Sequence, residues 1–185
     1  MSLSSIEMEI LESMLLNGKP IEAIQIANEN NKELSVTTTY LTKLTHRGYV
    51  NLLKKELYML TDEGKKTLGI QPITKENAKS IIAYAPHDKA FNFHTDTNEP
   101  LHIHAHSLYD FGNKITRVDL KSIEFHMNKD DFRTWFDYLG AKELAKKTSI
   151  IKKKKIGGEQ LRILLCTTVD QHCQELMKLT EQTTI

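Results

Sequence analysis

The stretch from residue 35 to residue 68, SVTTTYLTKLTHRGYVNLLKKELYMLTDEGKKTL, decides the fold of the first part of the chain. Its opening serine can cap a helix, apolar side chains follow at helical spacing, and Gly48 can supply the left-handed residue that ends the helix. Two runs typical of strands, 49–53 and 57–60, are separated by only three residues, as in a hairpin. Thr61 and the two acidic residues after it are typical of the start of another helix. The stretch therefore predicts a helix, a hairpin and a second helix in succession.

Two further helices are predicted upstream of this stretch. Residues 4–15 carry one apolar stripe, and Ser4 with Glu7 forms a possible capping box. Pro20 is expected to open a second helix that continues to about Asn30. Three helices followed by a two-stranded hairpin are the element order of a winged helix-turn-helix, in which the hairpin is the wing.

The wing also carries a family resemblance. The string GYV at 48–50, the short hairpin and the pattern Y-x-L-T-x-x-G at 58–64 closely resemble the wing of MarR-like and PadR-like regulators. The resemblance implies a DNA-binding transcription regulator, with one helix in the major groove and the wing against the adjacent backbone. On this resemblance Thr38, Thr39, Thr42 and Lys43 face the groove, and Lys54 and Lys55 lie at the wing tip. His46 and, near the helix end, Arg47 are further candidates for polar contacts with DNA.

Charge limits how strongly one copy of the chain can attract DNA. The formal net charge is +1, so any electrostatic footprint must be local. Residues 32–66 contain seven basic and four acidic side chains, which is a modest surplus that a homodimer would double. Threonines discriminate weakly between bases, so we expect specificity to rest on half-site spacing and DNA shape. Winged helices also serve as protein-interaction modules, and that alternative stays open.

Two features bear on the cellular compartment. The two cysteines, Cys166 and Cys173, have no metal-type spacing and are expected to be reduced core thiols. The sequence has neither a signal-peptide pattern nor an apolar run long enough to span a bilayer. We therefore expect a cytoplasmic protein that does not associate with membranes.

After a linker at 69–74, the second half of the chain predicts a mainly helical domain with a small hairpin. Alternation at 90–94 and 101–106 indicates the hairpin. The segment 75–85 fits a helix or a strand, and 122–127 fits a strand or an extended turn. Asn128 is expected to cap a helix over 129–139. The other predicted helices cover 107–117, 141–156 and 159–180.

Three strings in this half, HSLYDF, SIEFHMNKDDFRTWFDYLG and KELAKK, are similar to an uncharacterised archaeal domain. The resemblance implies an archaeal source and a globular companion domain without a known activity. The chain departs from that pattern at Lys129 and Asp130, where the domain usually has Arg-Gly.

The histidines of the predicted hairpin raise a metal hypothesis. Neighbours at i and i+2 on a strand are about 6.6 Å apart and can share an ion, whereas those at i and i+4, about 13 Å apart, cannot easily do so. An adjacent pair among His102, His104 and His106, joined by His94 or His87, could therefore chelate a metal; the candidate set is His94, His102 and His104. Because no carboxylate or cysteine completes a familiar spacing, a polar hairpin face is the favoured interpretation, and we expect no metal, cofactor or enzymatic activity.

Four other features of the second half have alternative interpretations. His126 is expected to be structural, satisfied by backbone or by a carboxylate. The aromatic residues Phe91, Phe93, Trp135 and Phe136 fit either a core or the walls of a small-molecule effector pocket. The lysines at 152–155, reinforced by those at 146 and 147, fit a solvated face or a second phosphate-contacting patch. The apolar stripe of the last helix fits packing within the domain or a dimer seam.

The patterns as a whole predict an α+β protein of two domains, a winged helix-turn-helix at 1–70 and a dimerisation or sensing domain at 75–185. Its expected partners are double-stranded DNA, a second copy of the chain and a possible small-molecule effector. The alternatives are a protein-interaction module that does not bind DNA and a metal-dependent protein that uses the histidine hairpin.

Overall fold

A computed structural model describes residues 3–181, except for the side chain of Lys55, and divides into two compact units, Met1–Pro72 and Ile73–Ile185. The boundary falls within the segment 69–74 that the sequence analysis interprets as a linker. Each unit combines helices with a small antiparallel sheet, so the fold is α+β. No helix in the described part of the chain is long and apolar enough to cross a membrane.

Unit 1 (residues 1–72) contains helices around one three-stranded sheet. Its elements are α1 (Ser5–Asn17), β1 (Ile21–Glu22), α2 (Ala23–Glu29), α3 (Leu34–His46), β2 (Val50–Leu52), β3 (Leu57–Leu60) and α4 (Asp62–Thr67). The strand order is β1-β3-β2, and a single 3-10 turn, Lys54–Glu56, joins β2 to β3. The core is formed by apolar side chains from the three longest elements and β2, with Ile10, Leu11, Leu41, Leu44 and Val50 all completely buried.

The start of α2 and the number of strands in the sheet differ from the sequence prediction. Pro20 does not open the helix, because Ile21 and Glu22 instead pair with Tyr58 and Leu57 of β3. Ile21 is buried, and its pairing satisfies backbone groups along the side of β3 that does not face β2. The sheet therefore has three strands, two of which form the predicted hairpin.

The predicted ends of α3 are partly confirmed. Gly48 has φ +75, in the left-handed region that the prediction required. The helix begins at Leu34, ahead of the predicted cap Ser35, and Glu33 occupies the N-cap without a side-chain capping bond. The predicted capping box of α1 is present, because Ser4 and Glu7 bond each other's backbone N–H groups.

Unit 2 (residues 73–185) consists of helices packed on a two-stranded hairpin. Its elements are α5 (Lys75–Ile82), β4 (Phe91–Asp96), β5 (Glu99–Ala105), α6 (Leu108–Ile115), α7 (Leu120–Asn128), α8 (Asp131–Tyr138), α9 (Lys142–Lys153) and α10 (Gly158–Glu181). Bulges interrupt the pairing between Asn92 and His94 and between His94 and Asp96. Four phenylalanines form the centre of the core: Phe93, Phe111, Phe132 and Phe136.

The segment 122–127 is helical, contrary to the predicted strand or extended turn. Asp119 starts α7 by accepting a hydrogen bond from Lys121 N at 2.8 Å. The residues of α7 that are buried recur at helical spacing: Ser122, Ile123, His126 and Met127. Asn128 ends α7, and α8 begins after Asp130, whose φ of 62 lies in the left-handed region. The ambiguous segment 75–85 is a helix as far as Ile82, with Thr74 as its N-cap.

The apolar stripe of α10 is internal to unit 2. It packs against α5, α6, α7 and α9, and Leu161, Leu165, Val169, Cys173 and Leu176 are all buried. The stripe therefore cannot be the dimer seam that the sequence left open.

Two lysines of the predicted phosphate patch form ion pairs within unit 2, one buried and one partly exposed. Lys147 is buried and pairs with Glu143 at 2.9 Å, and Lys152 pairs with Asp130 at 2.7 Å.

Gly64 in α4 should be intolerant of substitution, because a Cβ there would overlap the carbonyl oxygen of Tyr49 and lie 2.7 Å from Leu60 Cδ1. We expect Gly64→Ala to lower the free energy of unfolding by about 2 kcal/mol, measured by urea denaturation followed by circular dichroism. Gly112→Ala is the matched control, since its Cβ would meet only Val169 Cγ1 at 3.5 Å. That helical substitution should be neutral or stabilising. Equal effects of the two substitutions would contradict the close approach at Gly64.

Candidate functional site

The exposed face of α3 lies opposite two completely buried leucines, Leu41 and Leu44. Thr39, Thr42, Lys43 and His46 are exposed, whereas Thr38 is half-buried. The sequence analysis assigned all of these polar residues to DNA. The structure thus puts most of that set on one solvent-facing helix surface.

The threonine hydroxyls on this face already donate hydrogen bonds to the helix backbone. Thr39 Oγ1 donates to Ser35 O at 2.9 Å, and Thr42 Oγ1 donates to Thr38 O at 2.9 Å. Thr38 Oγ1 donates to the carbonyls of Leu34 and Ser35 at 3.0 Å. Since a hydroxyl has one proton, these side chains offer a partner their oxygen lone pairs and methyl groups, but no donor.

The cations near α3 and the hairpin must therefore supply any donors to a phosphate. The Nζ of Lys43 lies 4.9 Å from the centre of the Tyr40 ring, a cation–π contact that limits where the side chain points. Lys54 is exposed at the start of the turn between β2 and β3. The side chain of Lys55 lies outside the described part of the structure.

Arg47 has a role within unit 1 that sequence reasoning missed. Its Nη1 lies 3.1 Å from Glu7 Oε1, and its guanidinium lies 4.8 Å from the centre of the Tyr49 ring. The pKa of Glu7 is lowered, mainly by the hydrogen bond from the Ser4 backbone and also by Arg47, although burial opposes both effects. Arg47 thus fastens the end of α3 to α1, a role within the fold beside the DNA contact predicted for it. The sequence signal for this ion pair was Glu7, an acidic residue in the first turn of α1 whose side chain is buried.

Large apolar side chains are exposed on the hairpin formed by β2 and β3. Leu52 is 54% exposed, Leu53 39% and Met59 42%. Leu52 and Met59 belong to the paired strands β2 and β3. Leu52 is paired with Tyr58 and Met59 with Asn51, so Leu52 and Met59 lie on opposite faces of the sheet.

The buried histidine of unit 2, His126, links a strand to a helix. Its Nε2 accepts a hydrogen bond from His94 N at 2.8 Å, and its Nδ1 lies 2.8 Å from Asp131 Oδ2. To accept the bond from His94, Nε2 must be unprotonated, so the imidazole is neutral and its proton is on Nδ1. Burial lowers the pKa of His126, although Asp131 acts in the opposite direction. The prediction that His126 is structural, held by backbone and a carboxylate, is confirmed.

A cavity of about 300 Å³ lies beside His126. Its walls include Phe91 and Trp135, two of the four aromatic residues suggested for an effector pocket, together with Lys129 and Asp131. The other two, Phe93 and Phe136, are buried and belong to the core. The volume is at the lower limit for small-molecule sites.

The hairpin histidines do not gather in the predicted combination of His94, His102 and His104. His94 lies beside His126, with ring centres 5.9 Å apart, and His102 is exposed with φ +55. The ring neighbouring His104 is instead that of His87, at 5.0 Å. His87 is also 5.9 Å from His106, so two histidines outside the predicted set, His87 and His106, lie beside His104.

Comparison with known proteins gives no match for the chain among protein-family models, curated proteins or solved structures.

The stability of unit 2 should depend on pH through His126. Its pKa in the folded state lies below the ordinary value of 6.5, so the unfolded chain binds more protons as the solution is acidified. The stabilisation is therefore present above pH 6.5 and is lost as the pH falls. We expect the urea midpoint, followed by fluorescence of Trp135, to decrease between about pH 8 and about pH 5.5.

His126→Gln removes the titrating group while keeping a polar side chain. It should cost about 1–3 kcal/mol at high pH and flatten the pH dependence. His46→Gln, at an exposed position in unit 1, is the control and should leave the profile of Trp135 unchanged. An equally steep profile in His126→Gln would show that another group is responsible.

Proposed function

We propose that unit 1 is a winged helix-turn-helix module that binds duplex DNA, with α3 in the major groove and the hairpin β2–β3 as a wing against the neighbouring phosphates. The observation that carries the proposal is the solvent-facing surface of α3, with Thr39, Thr42, Lys43 and His46, next to a hairpin whose turn begins with Lys54. An α-helix of this kind fits the major groove of B-DNA.

The two kinds of side chain on this surface have separate roles in the proposed complex. Lys43 and Lys54 donate to phosphates, because the threonine protons are used within the helix. Thr39 and Thr42 present methyl groups and acceptor oxygens, which suit thymine methyls and the amino groups of adenine or cytosine. Affinity thus comes from the lysines, and the threonines contribute a modest preference between bases.

Charge favours a dimer as the DNA-binding form. Residues 1–72 contain eight basic and nine acidic side chains, so unit 1 as a whole does not attract DNA strongly. Two copies on adjacent half-sites would double the number of phosphate contacts. The buried stripe of α10 is excluded as the dimer interface, so in this proposal other surfaces hold the two copies together.

A second candidate function is a protein-interaction module, and the exposed hairpin residues Leu52, Leu53 and Met59 favour it. Exposed apolar side chains on a hairpin are suited to a protein partner, whereas a wing that follows phosphates needs only polar and basic side chains. The two functions differ in their dependence on salt.

Fluorescence anisotropy with a labelled duplex at low salt tests the proposal. We expect binding that weakens with rising salt, and Lys54→Ala/Lys55→Ala should reduce the slope of log K against log salt by about 2 per monomer. Lys19→Ala, an exposed lysine outside α3 and the hairpin, should leave the slope unchanged.

The outcome also distinguishes the two functions. An unchanged slope in Lys54→Ala/Lys55→Ala would remove the hairpin from the DNA interface. Absence of any duplex binding at low salt would contradict DNA binding and favour the interaction module. Sedimentation equilibrium of the same samples tests the proposed dimer.

A further inference from the structure

Three imidazoles of unit 2 come together from two separate segments of the chain. His87 begins a 3-10 turn just before β4, whereas His104 and His106 lie at the end of β5. The ring of His87 is 5.0 Å from that of His104 and 5.9 Å from that of His106. His104 and His106 are i and i+2 residues, a spacing that lets two side chains reach one ion.

Hydrogen bonds fix the tautomers of the two strand histidines. His106 Nδ1 lies 3.1 Å from the carbonyl oxygen of Ala85, and His104 Nδ1 contacts Asn92 Oδ1. Both partners are acceptors, so each Nδ1 carries the proton and each Nε2 has a free lone pair. Histidines that bind metals have this arrangement, in which the second ring nitrogen donates to an oxygen that holds the ring in place.

The surroundings hold the His106 ring in place, whereas the His87 ring is exposed to solvent. Tyr84 stacks on His106 with ring centres 4.8 Å apart and planes 4° apart, and the Ala85 N–H donates to the His106 carbonyl. His87 is exposed on its turn. The ligand atoms of the trio do not all lie within 4.8 Å of one another, so binding an ion requires the side chains to move closer together, and His87 is the exposed member.

We propose that His87, His104 and His106 bind one divalent transition-metal ion of the Zn²⁺ class through imidazole nitrogens, with water in the remaining position. This differs from the sequence-based expectation of no metal, and it does not depend on the proposed DNA binding. Three imidazoles without a carboxylate select Zn²⁺, Co²⁺, Ni²⁺ or Cu²⁺ over Mg²⁺ and Ca²⁺, which prefer oxygen ligands.

Burial, followed by the neighbouring His87, His106 and His102, lowers the pKa of His104. Lys114 donates to the His104 carbonyl oxygen but is paired with Asp110 at 2.7 Å, which offsets its charge.

Another group of possible ligands, Glu143, His172 and Glu175, is more compact, with ligand atoms within 4.8 Å of one another. Glu143 there already pairs with the buried Lys147 at 2.9 Å. A metal ion at that place would have to compete with a buried ammonium group for its carboxylate. The histidine trio faces no such competitor within the described part of the structure.

Isothermal titration of the full-length chain with ZnCl₂ tests the proposal. We expect one ion per chain and at least about a tenfold loss of affinity in each of His87→Gln, His104→Gln and His106→Gln. Asn92→Leu should weaken binding by about tenfold, because it removes only the bond that orients His104. With Co²⁺ as the probe, visible absorption bands should indicate nitrogen coordination and disappear in the ligand variants.

His102→Gln and His94→Gln are the matched controls, since they remove hairpin histidines outside the trio. Both should bind Zn²⁺ as the unmodified chain does. Equal weakening by His102→Gln, or unchanged affinity in His87→Gln and His106→Gln, would overturn the proposal and indicate scattered binding to surface histidines. Circular dichroism and Trp135 fluorescence of each variant show that a loss of binding is not a loss of fold.

Discussion

Unit 2 depends on the hydrogen bonds of one neutral imidazole. His126 accepts the His94 N–H of β4 and donates to Asp131 of α8, each at 2.8 Å. It does so within the aromatic core, 4.8 Å from the Phe91 ring and 5.5 Å from that of Phe132. A charged imidazole could not accept the backbone bond, so the position of β4 depends on the protonation state of His126. The hairpin that carries His104, and the cavity beside His126, follow from that position.

Unit 1 is held by contacts of a different kind. The ion pair of Glu7 and Arg47 joins the first turn of α1 to the end of α3, and Gly64 lets α4 approach the backbone at Tyr49. Both contacts lie at the junction where α3 gives way to β2, so they fix the angle between the helix and the hairpin. The charges of Glu7 and Arg47 largely neutralise each other there. What remains for a partner is the exposed face of α3 and the hairpin.

Local signals predicted the elements of unit 1 that local interactions create, such as the Gly48 stop and the Thr61 cap, which accepts from Gly64 N. They missed β1, because a two-residue strand exists only through its pairing with a distant strand. Local signals also predicted the wrong structure for 122–127. Ser-Ile-Glu-Phe-His-Met alternates as a strand does, but burial against the aromatic core favours the helix. The histidine trio is one of the combinations that the sequence allowed, but the i, i+2 spacing could not select the pair His104 and His106, or choose His87 over His94, because those choices depend on where the turn before β4 lies.

The hydrogen bonds of the threonines connect the local geometry of α3 to the kind of recognition it supports. A threonine that donates to the carbonyl four residues earlier gives up its only proton, and Thr39 and Thr42 both do so. Phosphate oxygens accept but cannot donate, so these side chains contribute little to the affinity for the DNA backbone. Salt dependence should then arise from the lysines alone, whereas any base preference should arise from methyl and lone-pair contacts that salt hardly affects. Affinity and specificity of the proposed interface are thus carried by separate side chains, which makes them separable by mutation.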